Sequence, residues 1–133
     1  MLDVAHNPHA VATLAQNLDK MGFFPRTHAV FGVMADKDVA AILERMAPLV
    51  DCWYFTDLPI ARAARADDLA ALHAALQGPA AGTVERHRAP LQALDAARAA
   101  ADPADRIVVF GSFHTVGGVL KDGVPRLAGK HAV

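Results

Sequence analysis

The 133-residue sequence lacks several features that mark common classes of protein. It contains one cysteine, Cys52, so it forms no internal disulfide and fits a reducing compartment; we therefore expect a cytoplasmic protein. Its 13 basic and 14 acidic side chains leave a net charge of −1. Because proteins that bind nucleic acid gain much of their affinity by neutralising phosphates, no nucleic-acid partner is expected. No membrane association is expected either, since apolar runs such as residues 107–110 fall far short of the roughly 20 residues that a membrane-spanning helix needs.

The residues that are present suit one globular domain. Hydrophobic residues make up 53% and charged residues 20% of the chain, with 8 prolines and 9 glycines. A chain of this length buries roughly two-thirds of the surface that it exposes when unfolded, which is enough for a core without disulfides. Alanine supplies 29 residues, which favours helix but gives each helix a thin apolar face.

Strand and helix patterns alternate along this domain. Short apolar runs predict strands at residues 2–4, 28–33, 51–56, 83–87 and 106–110. Helical spacing and end signals predict helices from Pro8 to the stop at Gly22, after a cap at Asp36 or Asp38, before Gly78, from Pro90, and over residues 115–120.

This alternation indicates βαβ units. We predict a single α/β domain over residues 1–120, with a doubly wound, mainly parallel, Rossmann-like sheet that carries helices on both faces. Residues 121–133 are predicted to be a loosely ordered tail. The first strand has three residues, against a usual five or six, so we expect it to be truncated on its N-terminal side and the chain to derive from a longer one.

Two loops of this predicted sheet carry candidate binding residues. In open α/β sheets, ligands bind beyond the carboxyl ends of the strands. Residues 3–8 read Asp-Val-Ala-His-Asn-Pro and place Asp3 and His6 before a helix whose free amides favour an anion. Residues 111–115 read Gly-Ser-Phe-His-Thr and place Ser112, the single serine, and His114 in an equivalent position. The alternative for both loops is ordinary helix capping with an incidental histidine.

Other chemistry finds little support in the sequence. Arg62 and Arg65, in the loop after the third predicted strand, could reach an anion or another domain, although such residues more often form a solvated loop. A metal site that uses Asp3, His6 and His9, with His114 as a further candidate, lacks the usual ligand spacing, so no metal site is expected. The chain has no hydrolase nucleophile elbow and no glycine-rich phosphate-binding fingerprint.

Four segments in order resemble one family. Residues 3–8 are similar to the Asp-x-Ala-His-Asn-Pro motif that opens the C-terminal domain of folylpolyglutamate synthase/dihydrofolate synthase, of the Mur ligase superfamily. Residues 32–38 resemble its Gly-Met-x-x-Asp-Lys-Asp segment, and residues 62–69 resemble its Arg-Ala-Ala loop and acidic helix start. Residues 111–116 match a segment typical of the bacterial bifunctional branch. The resemblance spans about residues 2–120.

The resemblance implies a specific activity for the full-length protein. Members use ATP to convert a substrate carboxylate into an acyl phosphate, which the amine of L-glutamate attacks to form an amide. The substrate is dihydropteroate or a reduced folate. ATP and Mg²⁺ bind mainly to an N-terminal ATPase domain that also holds the Mg²⁺ ligands, so the 133 residues alone require no cofactor and are expected to be inactive.

The resemblance also implies roles for four residues of this chain. Asp3 would contact the nucleotide. His6 would be the catalytic residue, lying near the transferred phosphate and the glutamate, with positioning as its main task. Ser112 and His114 would help to hold the glutamate. The alternative is a free-standing doubly wound domain that binds a small anion for regulation or interaction, without catalysis.

Overall fold

The computed structural model describes residues 8–112, 115–116 and 131–132. Its helices are α1 (Pro8–Lys20), α2 (Val39–Met46), α3 (Ala66–Gln77) and α4 (Pro90–Ala100). Its strands are β1 (Thr27–Phe31), β2 (Cys52–Thr56), β3 (Thr83–His87), β4 (Arg106–Phe110) and β5 (His131–Ala132). Short 3₁₀ turns follow α2 at Ala47–Leu49 and α3 at Gly78–Ala80. Within the described part of the chain, no helix is long and apolar enough to cross a membrane.

The five strands form one sheet in the order β3-β2-β1-β4-β5, and every described pairing is parallel. The chain moves outward from β1 to β3 and then crosses over to β4 through α4. The predicted doubly wound α/β fold is therefore confirmed. Two residues of the predicted loose tail form β5 beside β4, a pairing too short to leave a pattern in the sequence.

Each face of the sheet is covered by helices because alternate strand residues point to opposite sides. On one face, Phe31, Trp53, Phe55 and Phe110 pack with apolar side chains of α1, α2 and α3. On the other face, side chains from β1, β2 and β4 pack against Ala93, Leu94 and Ala97 of α4. Among the described elements, α4 is the one helix that covers this face. The small alanines let α4 lie close to the sheet, and the aromatic residues fill the thicker face.

Local signals in the sequence account for most of the element boundaries. α2 is capped by Asp38, not Asp36, because the Asp38 carboxylate accepts a hydrogen bond from the Ala41 amide at 3.3 Å. α3 ends at Gly78, whose φ of 53° suits glycine. The predicted strand at residues 2–4 lies outside the described residues, and only residues 115 and 116 of the predicted last helix are described.

The amino-terminal edge of the sheet contains a buried polar network. His28 of β1 is bonded through Nε2 to Asp105 Oδ2 and through Nδ1 to the Tyr54 hydroxyl, both at 2.9 Å. Burial raises the pKa of Tyr54 to about 12, so its hydroxyl keeps its proton. Since the Asp105 carboxylate accepts, Nε2 of His28 carries a proton, and Nδ1 shares the second hydrogen bond with the Tyr54 hydroxyl.

A buried arginine joins this edge to α1. Arg106 donates from Nε to Thr27 Oγ1 and from Nη1 to the Leu18 carbonyl, both at 2.7 Å, and its guanidinium lies over the Phe24 ring. The Leu18 carbonyl belongs to the last turn of α1 and also accepts a hydrogen bond from the Met21 amide at 3.1 Å. Arg106 therefore ties the end of α1 to the start of the sheet.

Candidate functional site

The strand order locates the place where a ligand is expected. From β1 the chain builds one side of the sheet through β2 and β3, and β4 and β5 extend the sheet on the other side of β1. The chain order therefore reverses between the adjacent strands β1 and β4. In doubly wound folds, ligands bind outside the carboxyl ends of the strands at such a reversal. At this point β1 continues into Gly32, and β4 continues into Gly111 and Ser112.

The two corners that follow β1 and β4 touch each other through their backbones. Gly111 has a φ of 120°, a region that other residues rarely adopt. A side chain at Gly111 would overlap the Gly32 carbonyl and lie 2.8 Å from the Phe31 ring. A side chain at Gly32 would lie 2.9–3.0 Å from Thr56, Leu58 and Thr115. Glycine at both positions is thus what allows the corners to meet.

Ser112, a predicted glutamate contact, caps the turn that follows it. Its Oγ accepts a hydrogen bond from the Thr115 amide at 3.1 Å, and its carbonyl accepts one from the Val116 amide at 3.2 Å. The residue is 5% exposed. Capping by Ser112, which the sequence left as an alternative, is therefore present in the structure, and the glutamate contact stays a prediction.

Thr115 connects this cap to the end of β1. It is fully buried, and its hydroxyl donates to the Gly32 carbonyl at 2.6 Å, a bond between residues 83 positions apart. The Thr115 and Ser112 hydroxyl oxygens lie 3.1 Å apart. Because a hydroxyl has one proton and Thr115 uses its own on Gly32, Ser112 is the donor in that pair. The Ser112 proton is thus engaged inside the protein.

A charged cluster lies at the same sheet edge, at the ends of β2 and β3. The Asp57 carboxylate accepts from the Ala66 amide at 2.6 Å and from Arg88 Nη1 at 3.1 Å, and Arg65 Nε lies 3.5 Å away. Burial would raise the pKa of Asp57, but the hydrogen bonds from Ala66 and Arg88 and the charges of Arg65 and Arg88 outweigh it and lower the pKa. Asp67 lies 3.8 Å from Arg88. Sequence reasoning singled out Arg65 but missed Asp57 and Arg88.

The loop that contains Arg62 pairs with the loop after β1. The Ala35 amide donates to the Arg62 carbonyl at 2.8 Å, and the Ala64 amide donates to the Val33 carbonyl at 2.9 Å. An antiparallel bridge joins Met34 to Ala63 between these bonds. The structure thereby brings together residues 32–38 and 62–69, two segments that resemble the family separately in the sequence. The Arg62 side chain is exposed.

Beside this pairing lies a shallow groove of about 250 Å³ between the starts of α2 and α3. It is lined mainly by small and apolar side chains: Ala35, Val39, Ala63, Ala64, Arg65, Asp68, Leu69 and Leu72. The two charged residues lie together on α3 and the residue before it. The groove has the composition of a packing surface, because it offers few polar groups to fix a small ligand.

Three of the four predicted site residues, Asp3, His6 and His114, lie outside the described residues. His9, considered above as a metal ligand, is exposed in the first turn of α1. Among the residues that the structure describes, no three histidine, cysteine or acidic side chains come together as a metal site. Ser112 is accordingly the one predicted site residue whose surroundings the structure shows.

Comparison with known proteins agrees with this doubly wound fold. The family model "Mur ligase, glutamate ligase domain" matches residues 1–113. The dihydrofolate synthase/folylpolyglutamate synthase of Escherichia coli is 38% identical over 121 residues, which cover 91% of this chain and 27% of that protein. The solved structure of E. coli FolC in complex with DHPP and ADP has a TM-score of 0.78 at 36% identity, covering 90% of this chain and 27% of that one.

A further solved structure is a bifunctional folylpolyglutamate synthase/dihydrofolate synthase with Mn, AMPPNP and L-glutamate bound. Its TM-score is 0.76 at 35% identity, over 91% of this chain and 28% of that chain. The architecture is thus that of a ligase domain with a Rossmann-like sheet. The chain belongs to the family of Mur ligase glutamate ligase domains. It spans about a quarter of the length of these relatives.

Proposed function

We propose that this chain is the C-terminal domain of an ATP-dependent ligase that joins L-glutamate to dihydropteroate, to folates, or to both. One observation carries the proposal: the family match includes the segment Gly111–Ser112, and the described sheet puts that segment at its order reversal, where ligands of such folds bind. The relative solved with L-glutamate and a nucleotide analogue supports it.

The proposed reaction proceeds through an acyl phosphate. The γ-phosphoryl group of ATP passes to the substrate carboxylate, the glutamate amine attacks the activated carbonyl carbon, and phosphate leaves as the amide forms. ATP and Mg²⁺ are assigned to an N-terminal ATPase domain of the same polypeptide, which is the partner of this one. When bound, the metal and nucleotide supply the phosphoryl transfer, and this domain holds reactants in place on closure.

Residues at two corners of the predicted sheet are assigned to this task. Asp3 contacts the nucleotide, and His6 lies near the transferred phosphate and the incoming glutamate. Ser112 and His114 hold the glutamate from the corner after β4. The isolated chain lacks the ATPase domain and is expected to be inactive, and the whole enzyme is expected in the cytoplasm.

The test is a glutamate-ligation assay on the full-length protein that contains this domain. Isotope-labelled L-glutamate, ATP and Mg²⁺ are supplied with dihydropteroate or a reduced folate, and ADP and the labelled product are measured together. We expect equal amounts of ADP and product, and no turnover by the 133-residue chain alone. Turnover by the isolated chain, or ATP-dependent chemistry that does not consume glutamate, would contradict the proposal.

Substitutions at the proposed residues sharpen this test. Asp3→Ala and His6→Ala are expected to abolish growth of a strain that lacks its own dihydrofolate synthase, because nucleotide contact and phosphate positioning are lost. His9→Ala is the matched control, since His9 is an exposed histidine only three residues from His6, and it should support normal growth. Normal growth with all three variants would remove Asp3 and His6 from the site.

A further inference from the structure

One side chain adds hydrogen bonds to the backbone contact between the corners after β1 and β4. Thr115 donates its hydroxyl proton to the Gly32 carbonyl at 2.6 Å, receives the Ser112 hydroxyl proton at 3.1 Å, and gives its amide proton to Ser112 Oγ at 3.1 Å. No other side-chain hydrogen bond between described residues joins these two corners. Thr115 is completely buried, so water does not compete for these bonds.

We propose that Thr115 is a positioning residue that holds the Gly111–Ser112 corner against the end of β1 and thereby sets the geometry in which glutamate is received. This inference rests on the proposed function and deepens it. It also gives Ser112 a second role beside the glutamate contact proposed above: its hydroxyl proton is used on Thr115 and its Oγ accepts from the Thr115 amide, so Ser112 helps to hold the corner that it caps.

The tight packing around Thr115 explains how its loss could alter the position of the corner. Gly32 and Gly111 are already in contact, and neither corner has room for a side chain. A loss of the Thr115 hydroxyl leaves the Gly32 carbonyl buried without that donor, so the corner after β4 loses the side-chain hydrogen bond that holds it to the end of β1. Displacements of about 1 Å at such a position can slow an enzyme by about 100-fold, because the reactants lose their alignment.

The experiment compares isosteric variants in the full-length protein. Thr115→Val removes the hydroxyl and keeps the shape, and Thr115→Ser keeps the hydroxyl. Thr56→Val is the matched control, since Thr56 is also a buried threonine at this sheet edge, but its hydroxyl donates to the neighbouring Asp57 carbonyl at 2.7 Å. The KM for glutamate, the KM for ATP and kcat are measured, with thermal unfolding of each variant.

We expect Thr115→Val to raise the KM for glutamate about tenfold or more while the KM for ATP stays within about twofold. Thr115→Ser should restore most of the lost affinity, and Thr56→Val should leave both constants near the wild-type values. An unchanged glutamate KM in a folded Thr115→Val protein would overturn the proposal. So would equal changes in both KM values in proportion to lost thermal stability, because a purely structural role predicts that.

Ser112→Ala separates the two roles of the serine. If Ser112 helps to hold the corner, Ser112→Ala and Thr115→Val both raise the glutamate KM and both speed hydrogen exchange over residues 106–112. A rise in the glutamate KM with Ser112→Ala alone would show that Thr115 does not position the corner, and would overturn the proposal. A wild-type protein without glutamate-dependent ADP release would refute the proposed function instead. Hydrogen exchange over residues 106–112 then decides on Thr115: faster exchange in Thr115→Val than in Thr56→Val supports the positioning role, and equal exchange overturns it.

Discussion

At the amino-terminal edge of the sheet, Asp105 is held by His28, the Asp102 amide and Arg26; at the carboxyl-terminal edge, Asp57 is held by two arginines and the Ala66 amide. Both carboxylates are largely buried, with side chains 1% and 13% exposed. Their partners differ. At the amino-terminal edge His28 is completely buried and the Arg26 side chain is 45% exposed, whereas the side chains of Arg65 and Arg88 are 65% and 61% exposed.

This difference indicates different tasks for the two edges: the amino-terminal edge stabilises the fold, and the carboxyl-terminal edge is where a ligand is expected. Side chains at the amino-terminal edge mostly bond to one another, and their removal leaves buried polar groups without partners. At the carboxyl-terminal edge the guanidinium groups can turn to water when Asp57 is lost, so their pairing contributes little. The carboxyl-terminal edge also has the two glycine corners and the order reversal at which a ligand is expected.

The largest expected effect on the free energy of unfolding comes from replacing the buried aspartate of each edge by alanine. Asp105→Ala should lower the free energy of unfolding by about 3 kcal/mol, because the His28 Nε2–H and the Asp102 amide lose their acceptor. Asp57→Ala should lower it by about 1 kcal/mol, chiefly through the Ala66 amide at the start of α3. Urea unfolding of the 133-residue chain measures both. Equal losses would show that the two edges do not differ in this way.

The second comparison concerns two glycines with positive φ. Gly111→Ala should lower the free energy of unfolding by about 2 kcal/mol or more, because it combines a φ of 120° with overlap on the Gly32 carbonyl. Gly22→Ala, after α1, has a φ of 91° but open space around it, so only the backbone strain of about 1 kcal/mol is expected. Thermal unfolding tests the ranking. Similar losses would mean that the corners after β1 and β4 are not in close contact.

The smallest expected effect is a dependence of stability on pH. Burial alone would raise the pKa of Asp105, but hydrogen bonds from His28 and the Asp102 amide, with the charges of His28 and Arg26, lower it; the pKa of Asp57 is lowered as well. A carboxyl group whose pKa is lower in the folded state stabilises the fold above its unfolded pKa, and this contribution disappears as the pH falls through the folded value.

We therefore expect the wild-type chain to lose stability as the pH falls below about 4, the usual range of an unfolded aspartate. The Asp57→Ala/Asp105→Ala variant should lose less over the same range, because it lacks both groups. Urea unfolding at pH 6, 5, 4 and 3 provides the measurement. Parallel curves for the two proteins would contradict the assignment of this pH dependence to these carboxylates.

The sequence predicted local structure well because its signals are local. Pro90 at the start of α4, Gly78 at the end of α3 and the alternation of strands and helices are visible within a few residues. Ser112 as a cap was also predictable, since a serine before a helical turn commonly bonds to the third amide that follows.

Long-range contacts were not predictable in the same way. The bond from Thr115 to Gly32 joins residues 83 positions apart and depends on β1 and β4 being neighbours. Asp57 meets Arg88 because Thr56 is in register with His87, which a single sequence does not reveal. A lone aspartate after a buried strand was the available signal for Asp57, and that signal is weak because such an aspartate is common in solvated loops.

We propose that the carboxyl-terminal edge of the sheet receives glutamate, whereas the amino-terminal edge stabilises the fold. Thr115→Val and Thr27→Val test it directly, because both threonines are buried and each accepts or donates a bond within the polar network of its own edge. The measurement is the KM for L-glutamate of the two full-length variants at a temperature where both are folded. We predict a rise of about tenfold for Thr115→Val and an unchanged value for Thr27→Val. The reverse order, or equal changes, would contradict the account.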